Sequence, residues 1–149
     1  MIARTDNWDS DLSAFVAERA RRPFEWGVND CLTFAFKAVE AMTGQVVLED
    51  LFNPQCPDAK RAERFLRAQG GLESLMERIA GIAGWREAEN PQRQCSRGDL
   101  ALFDNDRRLC VGVVGIGRVL CPGSSGLEAE RMDSIKRGWH LPFNREEQA

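Results

Sequence analysis

A cysteine stands at residue 31, directly after Asp30 and a short segment, Pro23-Phe24-Glu25-Trp26-Gly27-Val28-Asn29. The residues behind it include Leu32, Phe34, Ala35, Phe36, Ala38, Val39 and Met42, apolar nearly all round a helical projection over 30–42. That pattern predicts a buried helix, with Cys31 in its first turn after a capping Asn or Asp. Helix amides and the positive end of the dipole favour a thiolate there, which lowers the thiol pKa and makes the sulfur nucleophilic. The same amides can receive an oxyanion, so the placement suits acyl chemistry. The competing reading is a small apolar side chain at a helix start, with Asp30 as a first-turn acid.

A cysteine nucleophile needs a base, and the chain has a single histidine, His140. Two-imidazole sites are therefore excluded within one chain. Cys–His or Ser–His chemistry would have to use His140, which requires the segment Gly138-Trp139-His140-Leu141-Pro142 to lie beside Cys31 as a sheet strand. The five cysteines (Cys31, Cys56, Cys95, Cys110 and Cys121) are odd in number and contain no CxxC. They read as reduced, mostly buried small side chains. A metal set from Cys56, Cys95, Cys110 and Cys121 lacks the close pairing of zinc ligands, so no metal and no other cofactor is expected. Asp99, Asp104 and Asp106 read as turn chemistry, and Gly115-Ile116-Gly117 lacks the third glycine of a dinucleotide loop. Ser124 and Ser125 have no evident base, and Cys121-Pro122-Gly123-Ser124-Ser125-Gly126 reads as a flexible loop.

The elements that must position these groups follow from periodicity. A surface helix is expected over 9–21, capped by Asp9 or Ser10, with Leu12, Phe15, Val16 and Arg19 on one stripe. After the central helix, closed by Gly44, residues 45–57 read as a loop. Asp58 caps a charged helix to 69, with Ala62, Phe65 and Leu66 inward, and a shorter helix spans 72–80. Residues 85–88 suggest an edge strand. Short β-rich runs follow at 100–103, 109–114, 118–121, 127–131 and 139–141, with a helical turn near Ser134. Helices first and an antiparallel sheet afterwards mean an α+β fold, and 149 residues without a linker mean one domain, 1–149. A net charge of −3 argues against a nucleic-acid partner. No run approaches a membrane span, and residues 1–11, with four charges, do not read as a signal peptide, so no membrane insertion is expected. The charged helix at 58–69 and the pair Arg107-Arg108 read as solvated faces.

Phe24-Glu25-Trp26-Gly27-Val28-Asn29-Asp30-Cys31 resembles the nucleophile motif of the NlpC-like, papain-like cysteine peptidases, in which an aromatic and a Gly precede an Asp-Cys pair that opens the central helix. Arg97-Gly98-Asp99-Leu100-Ala101-Leu102-Phe103 resembles that family's Pro-Gly-Asp-Leu strand, and Cys110-Val111-Gly112-Val113-Val114 its His-Val-Gly-Ile strand, in the same order over about residues 9–121. The resemblance implies a papain-like fold, with the Cys-bearing helix packed on a C-terminal antiparallel sheet. It also implies Cys31 as nucleophile beside Asp30, with Trp26 and Gly27 lining the substrate cleft. The family's base falls at Cys110 and its orienting residue near Cys121, and neither is an imidazole, so the expected outcome is a degenerate, inactive enzyme. Short proteins of this look resemble those encoded among phage and prophage tail-assembly genes. They imply a tail-tip structural role beside hub and fibre proteins, made in the bacterial cytoplasm and carried in the virion tail. The alternative is an active cysteine endopeptidase or amidase that cuts peptidoglycan during phage entry, with His140 as base.

Overall fold

The computed structural model describes residues 1–52, 54 and 56–144. Helix α1 spans Trp8–Arg19 and α2 Cys31–Thr43; a short α3, Leu48–Phe52, precedes α4, Ala59–Ala68, and α5, Leu72–Ala83. Strand β1, Arg86–Glu87, and the one-turn helix α6, Pro91–Gln94, lead into β2, Leu100–Asn105, β3, Arg108–Val114, β4, Arg118–Gly123, and β5, Gly126–Arg131. A 3-10 turn at Met132–Ser134 then opens β6, Ile135–His140. The strands make one antiparallel sheet in the order β1-β6-β2-β3-β4-β5. The architecture is α+β, helices first.

Helix α2 is the pivot of the packing because all but a narrow stripe, Thr33, Lys37 and Glu40, is apolar. Phe34, Ala35, Ala38, Val39 and Met42 are fully buried, and Gly44 ends the helix in the left-handed region at φ +75°. The helices pack on the sheet face that carries Leu100, Leu102, Val111 and Val113. The opposite face carries Ala101, Phe103, Cys110, Val114 and Ile135, which form a second, smaller core with Ala88 and Cys95. Alternation along β2 and β3 thus serves two cores, which is why both strands read as nearly continuous apolar runs.

Several expected elements are revised. The loop at 45–57 contains α3, where Leu48 turns into the core. Helix α1 starts at Trp8 after Asn7 and uses neither Asp9 nor Ser10 as a cap. The flexible loop expected at 121–126 is instead a hairpin: β4 runs through Gly123, pairs with Gly126, and turns on Ser124 and Ser125. Asp58 does cap α4, accepting from the Arg61 amide at 2.8 Å. The inward face of that helix has no fully buried residue. Asp106 and Arg107, with φ of +51° and +66°, make the two-residue turn joining β2 to β3, the geometry that matches sheet twist.

Two features of the sheet matter most. Strands β3 and β4 pair only at Val113↔Leu120 and Val114↔Val119, after which β3 stays with β2 and β4 with β5. A wedge opens between them, beside Cys110 and Cys121. At the other end, Asp99, which is 1% exposed, ties the chain's ends together. Its carboxylate accepts from Arg4 Nη2 at 2.7 Å, the Ser96 amide at 2.9 Å and the Leu141 amide at 3.2 Å, and lies 2.9 Å from His140 Nδ1. The Arg4 guanidinium lies over both the Trp8 and Phe143 rings, at 4.4 and 4.5 Å from their centroids, where the two rings meet edge-on. Removing one member of a buried ion pair leaves the other charge unpaired, at a cost of about 3–5 kcal/mol. Asp99→Ala is therefore expected to lose that much stability in urea denaturation. His140→Ala, which leaves the Arg4–Asp99 pair intact, is expected to lose only about 1 kcal/mol; equal losses would contradict this account.

Candidate functional site

The segment before Cys31 is held by four hydrogen bonds that begin on α1. Arg19, on the stripe expected for that helix, is buried and donates from Nη1 to Asn29 Oδ1 at 3.0 Å. Asn29 in turn donates to the carbonyls of Arg22 and Pro23 at 3.2 and 3.0 Å, and the Phe24 amide donates to the Gly123 carbonyl on β4 at 2.8 Å. The segment is thereby fastened to the strand that borders the wedge. Sequence reasoning missed Arg19 and Asn29 as positioning residues. The only signal was a charged residue on an otherwise apolar stripe.

Asp30 uses both carboxylate oxygens for structure. Oδ1 accepts from the Thr33 amide and Oδ2 from the Gly27 amide, each at 2.8 Å. One bond caps α2 and the other closes the tight loop, so the residue expected at a catalytic position acts as a clamp. Gly27 takes φ +76°, and a Cβ there would sit 3.0 Å from the Cys56 carbonyl oxygen, so only glycine fits without strain. Trp26 stands edge-on to Phe24, with ring centroids 4.8 Å apart.

Cys31, Trp26 and Gly27 border a cleft of about 1000 Å³. Its far wall is the apolar side of α4, Ala62, Phe65 and Leu66, which explains why that side is not buried in the core. The sheet contributes Cys110 and Cys121 from the two lips of the wedge, and Cys56 borders the cleft from the α4 side. The first turn of α2 thus brings Cys31 to the gap where β3 and β4 part.

Cys31 packs there against the smaller core that holds Cys110, and the two thiols act on each other's ionisation. They ionise as a pair. Cys110 goes first, its pKa lowered because Cys31 donates to its sulfur. Cys31 is held well above the ordinary thiol value by that same hydrogen bond and then by burial. The helix terminus was expected to lower the pKa of Cys31. The contact with Cys110 and the loss of solvent outweigh it, and the Val111 amide does not restore the balance. Burial also pushes Cys121 up to about 12.

His140 is not in this cleft. Pairing sets Trp139 beside Leu100 on β2, whereas Cys110 lies beside Phe103. From Asp99, the partner of His140, to Phe103 is four residues, or roughly 13 Å along the strand at ~3.3 Å per residue. His140 is occupied by Asp99, and the expected approach of His140 to Cys31 is corrected by the register. Cys95 is also elsewhere, against Gly138 on the second core, so Cys56, Cys95, Cys110 and Cys121 do not converge. Among the described residues no group of three or more His, Cys, Asp or Glu is placed to hold a metal ion. Asp99 lies at the opposite end of β2 from Asp104 and Asp106.

The fold and site define an α+β chain with a helix-start cysteine set in a cleft between diverging strands. Residues 3–141 match a family model described as a domain of unknown function, DUF6950, and the chain belongs to that family. None of the curated proteins matches it.

The buried thiols also set a pH dependence. Cys95, like Cys121, is pushed up to about 12 by burial, so the folded protein keeps protons that the unfolded chain releases above its ordinary thiol pKa of about 8.5. Their contribution to stability is complete below that value and is lost as pH climbs toward 12. The urea midpoint is expected to fall steadily from about pH 9 upward, and Cys95→Ala should make the fall shallower. An identical slope in the variant would show that these thiols do not set it.

Proposed function

We propose that this chain is a papain-like, NlpC-type domain that has lost catalysis and serves as a structural component of a phage or prophage tail tip. The observation that carries the loss of catalysis is the contact of Cys31 with the Cys110 thiol, where a Cys peptidase would hold an imidazole. A thiol that ionises ahead of its neighbour raises that neighbour's pKa, so it suppresses the nucleophile it would have to activate. The lone histidine is bonded to Asp99 instead. The papain-like reading is supported by the order of elements and by a Cys-bearing helix whose first turn meets the sheet at its opening. The tail setting rests on the motif resemblance, which implies docking with hub and fibre proteins, cytoplasmic assembly and residence in the virion tail. The net charge of −3 fits a protein partner better than a nucleic acid. No described helix is long and apolar enough to cross a membrane.

Muropeptide digestion tests the first part of the proposal. Wild type and Cys31→Ala are both expected to leave the peptides uncut over hours, as followed by mass spectrometry. Cleavage by wild type that disappears in Cys31→Ala would replace this reading with an active peptidoglycan hydrolase. For the second part, co-expression with the tail hub and fibre proteins is expected to give a complex on size exclusion. Separate elution from both would remove the tail-tip role.

A further inference from the structure

We propose that Cys31 and Cys110 form a reversible dithiol site, oxidised to a disulfide by exchange with small disulfides that enter the cleft. The inference is independent of the proposed function, because it rests on the placement of thiols and not on the motifs.

Three observations carry it. First, Cys31, in the first turn of α2, packs against the smaller core that holds Cys110 on β3, so the two thiols come together from separate elements at one cleft. Second, both border an open cleft of about 1000 Å³, large enough for a tripeptide-sized reagent, with Cys31 half-buried and Cys110 buried at the cleft wall. Third, neither thiol caps a helix or ties the sheet's ends, the two tasks that fix the fold around them. Helix capping falls to Asp30, and the fold is tied together at Asp99, at the far end of the sheet. Ionisation selects the pair. Cys110 yields a thiolate ahead of an ordinary thiol, while Cys121, on the other lip, stays protonated because burial pushes it up to about 12. Thiolate, and not thiol, is the attacking species.

The exchange balances with a low-molecular-weight disulfide, RSSR, as oxidant. The pair's thiolate attacks one sulfur of RSSR, forming a protein–SR mixed disulfide and releasing RS⁻, which takes up the proton lost on ionisation. The second protein thiol then attacks the protein sulfur of that mixed disulfide. It forms the Cys31–Cys110 bond and expels the second RS⁻, to which it gives its proton. The two protein thiols lose two electrons in total, and RSSR becomes two RSH. Excess RSH reverses both steps.

The test uses oxidised glutathione on the reduced full-length protein at pH 8, followed by alkylation under denaturing conditions and peptide mapping. Five cysteines are present, so a bond between two of them should leave three alkylated, with the Cys31 peptide joined to the Cys110 peptide and released by excess reduced glutathione. Cys121→Ser should form the same link. Cys31→Ser, which removes the resolving thiol, should instead accumulate a glutathione adduct at Cys110. Five alkylated cysteines in the treated wild type, or a principal link that involves Cys56, Cys95 or Cys121, would overturn the proposal whether or not any variant folds.

Discussion

The parting of β3 from β4 is the constraint on which the rest of the molecule depends. Two strands that pair at only two positions leave backbone groups without sheet partners, and a sheet interior tolerates that only where another element fills the gap. Here the segment leading into α2 does so, its Phe24 amide donating to the Gly123 carbonyl, and Cys31 packs behind it. From that one placement follow the burial of α2, the position of Cys31 between the two lips, and the cleft that continues the wedge under α4. The segment 23–30 has to descend from α1 to that opening, and Arg19, Asn29 and Asp30 supply the bonds that hold it.

Electrostatics at the wedge then decides its chemistry. A helix N-terminus and an inward-pointing amide would ordinarily favour a thiolate. Here the neighbour is a second thiol, and two charges a few ångströms apart in a partly dry site cannot both form near neutrality. The site therefore holds one thiolate at most, and that charge rests first on Cys110. The geometry of a nucleophile is present without the electrostatics of one.

Local patterns carried much of this into the sequence. The near-continuous apolarity of 30–42 marks α2 because only a narrow stripe at Thr33, Lys37 and Glu40 faces outward, and the short β-rich runs after Gly98 mark the sheet. The helix start at Cys31 is legible from Asn29, Asp30 and the glycine before them. Contacts between distant residues were not legible. Nothing near Arg4 announces Asp99, 95 positions away, and nothing near Cys31 announces the thiol of Cys110. Residues 121–126 read as a loop because Pro122 and two glycines disfavour strands. Past Leu120, however, β4 has one neighbour and not two, an environment in which a proline's missing amide is tolerated. His140 was the natural base by elimination, yet composition cannot show that it faces the carboxylate at the other end of β2.

The Arg4–Asp99 staple has a consequence for how such a chain can change over time. It joins residue 4 to residues 140–141 about four strand residues from the cleft, a separation at which substitution effects generally add without coupling. A mutation at residue 110 or 121 therefore alters what the cleft can react with, while the staple's contribution to folding stays the same. A change of side chain at either position thus needs no compensating change at the staple. The reactive end can drift while the fold is kept.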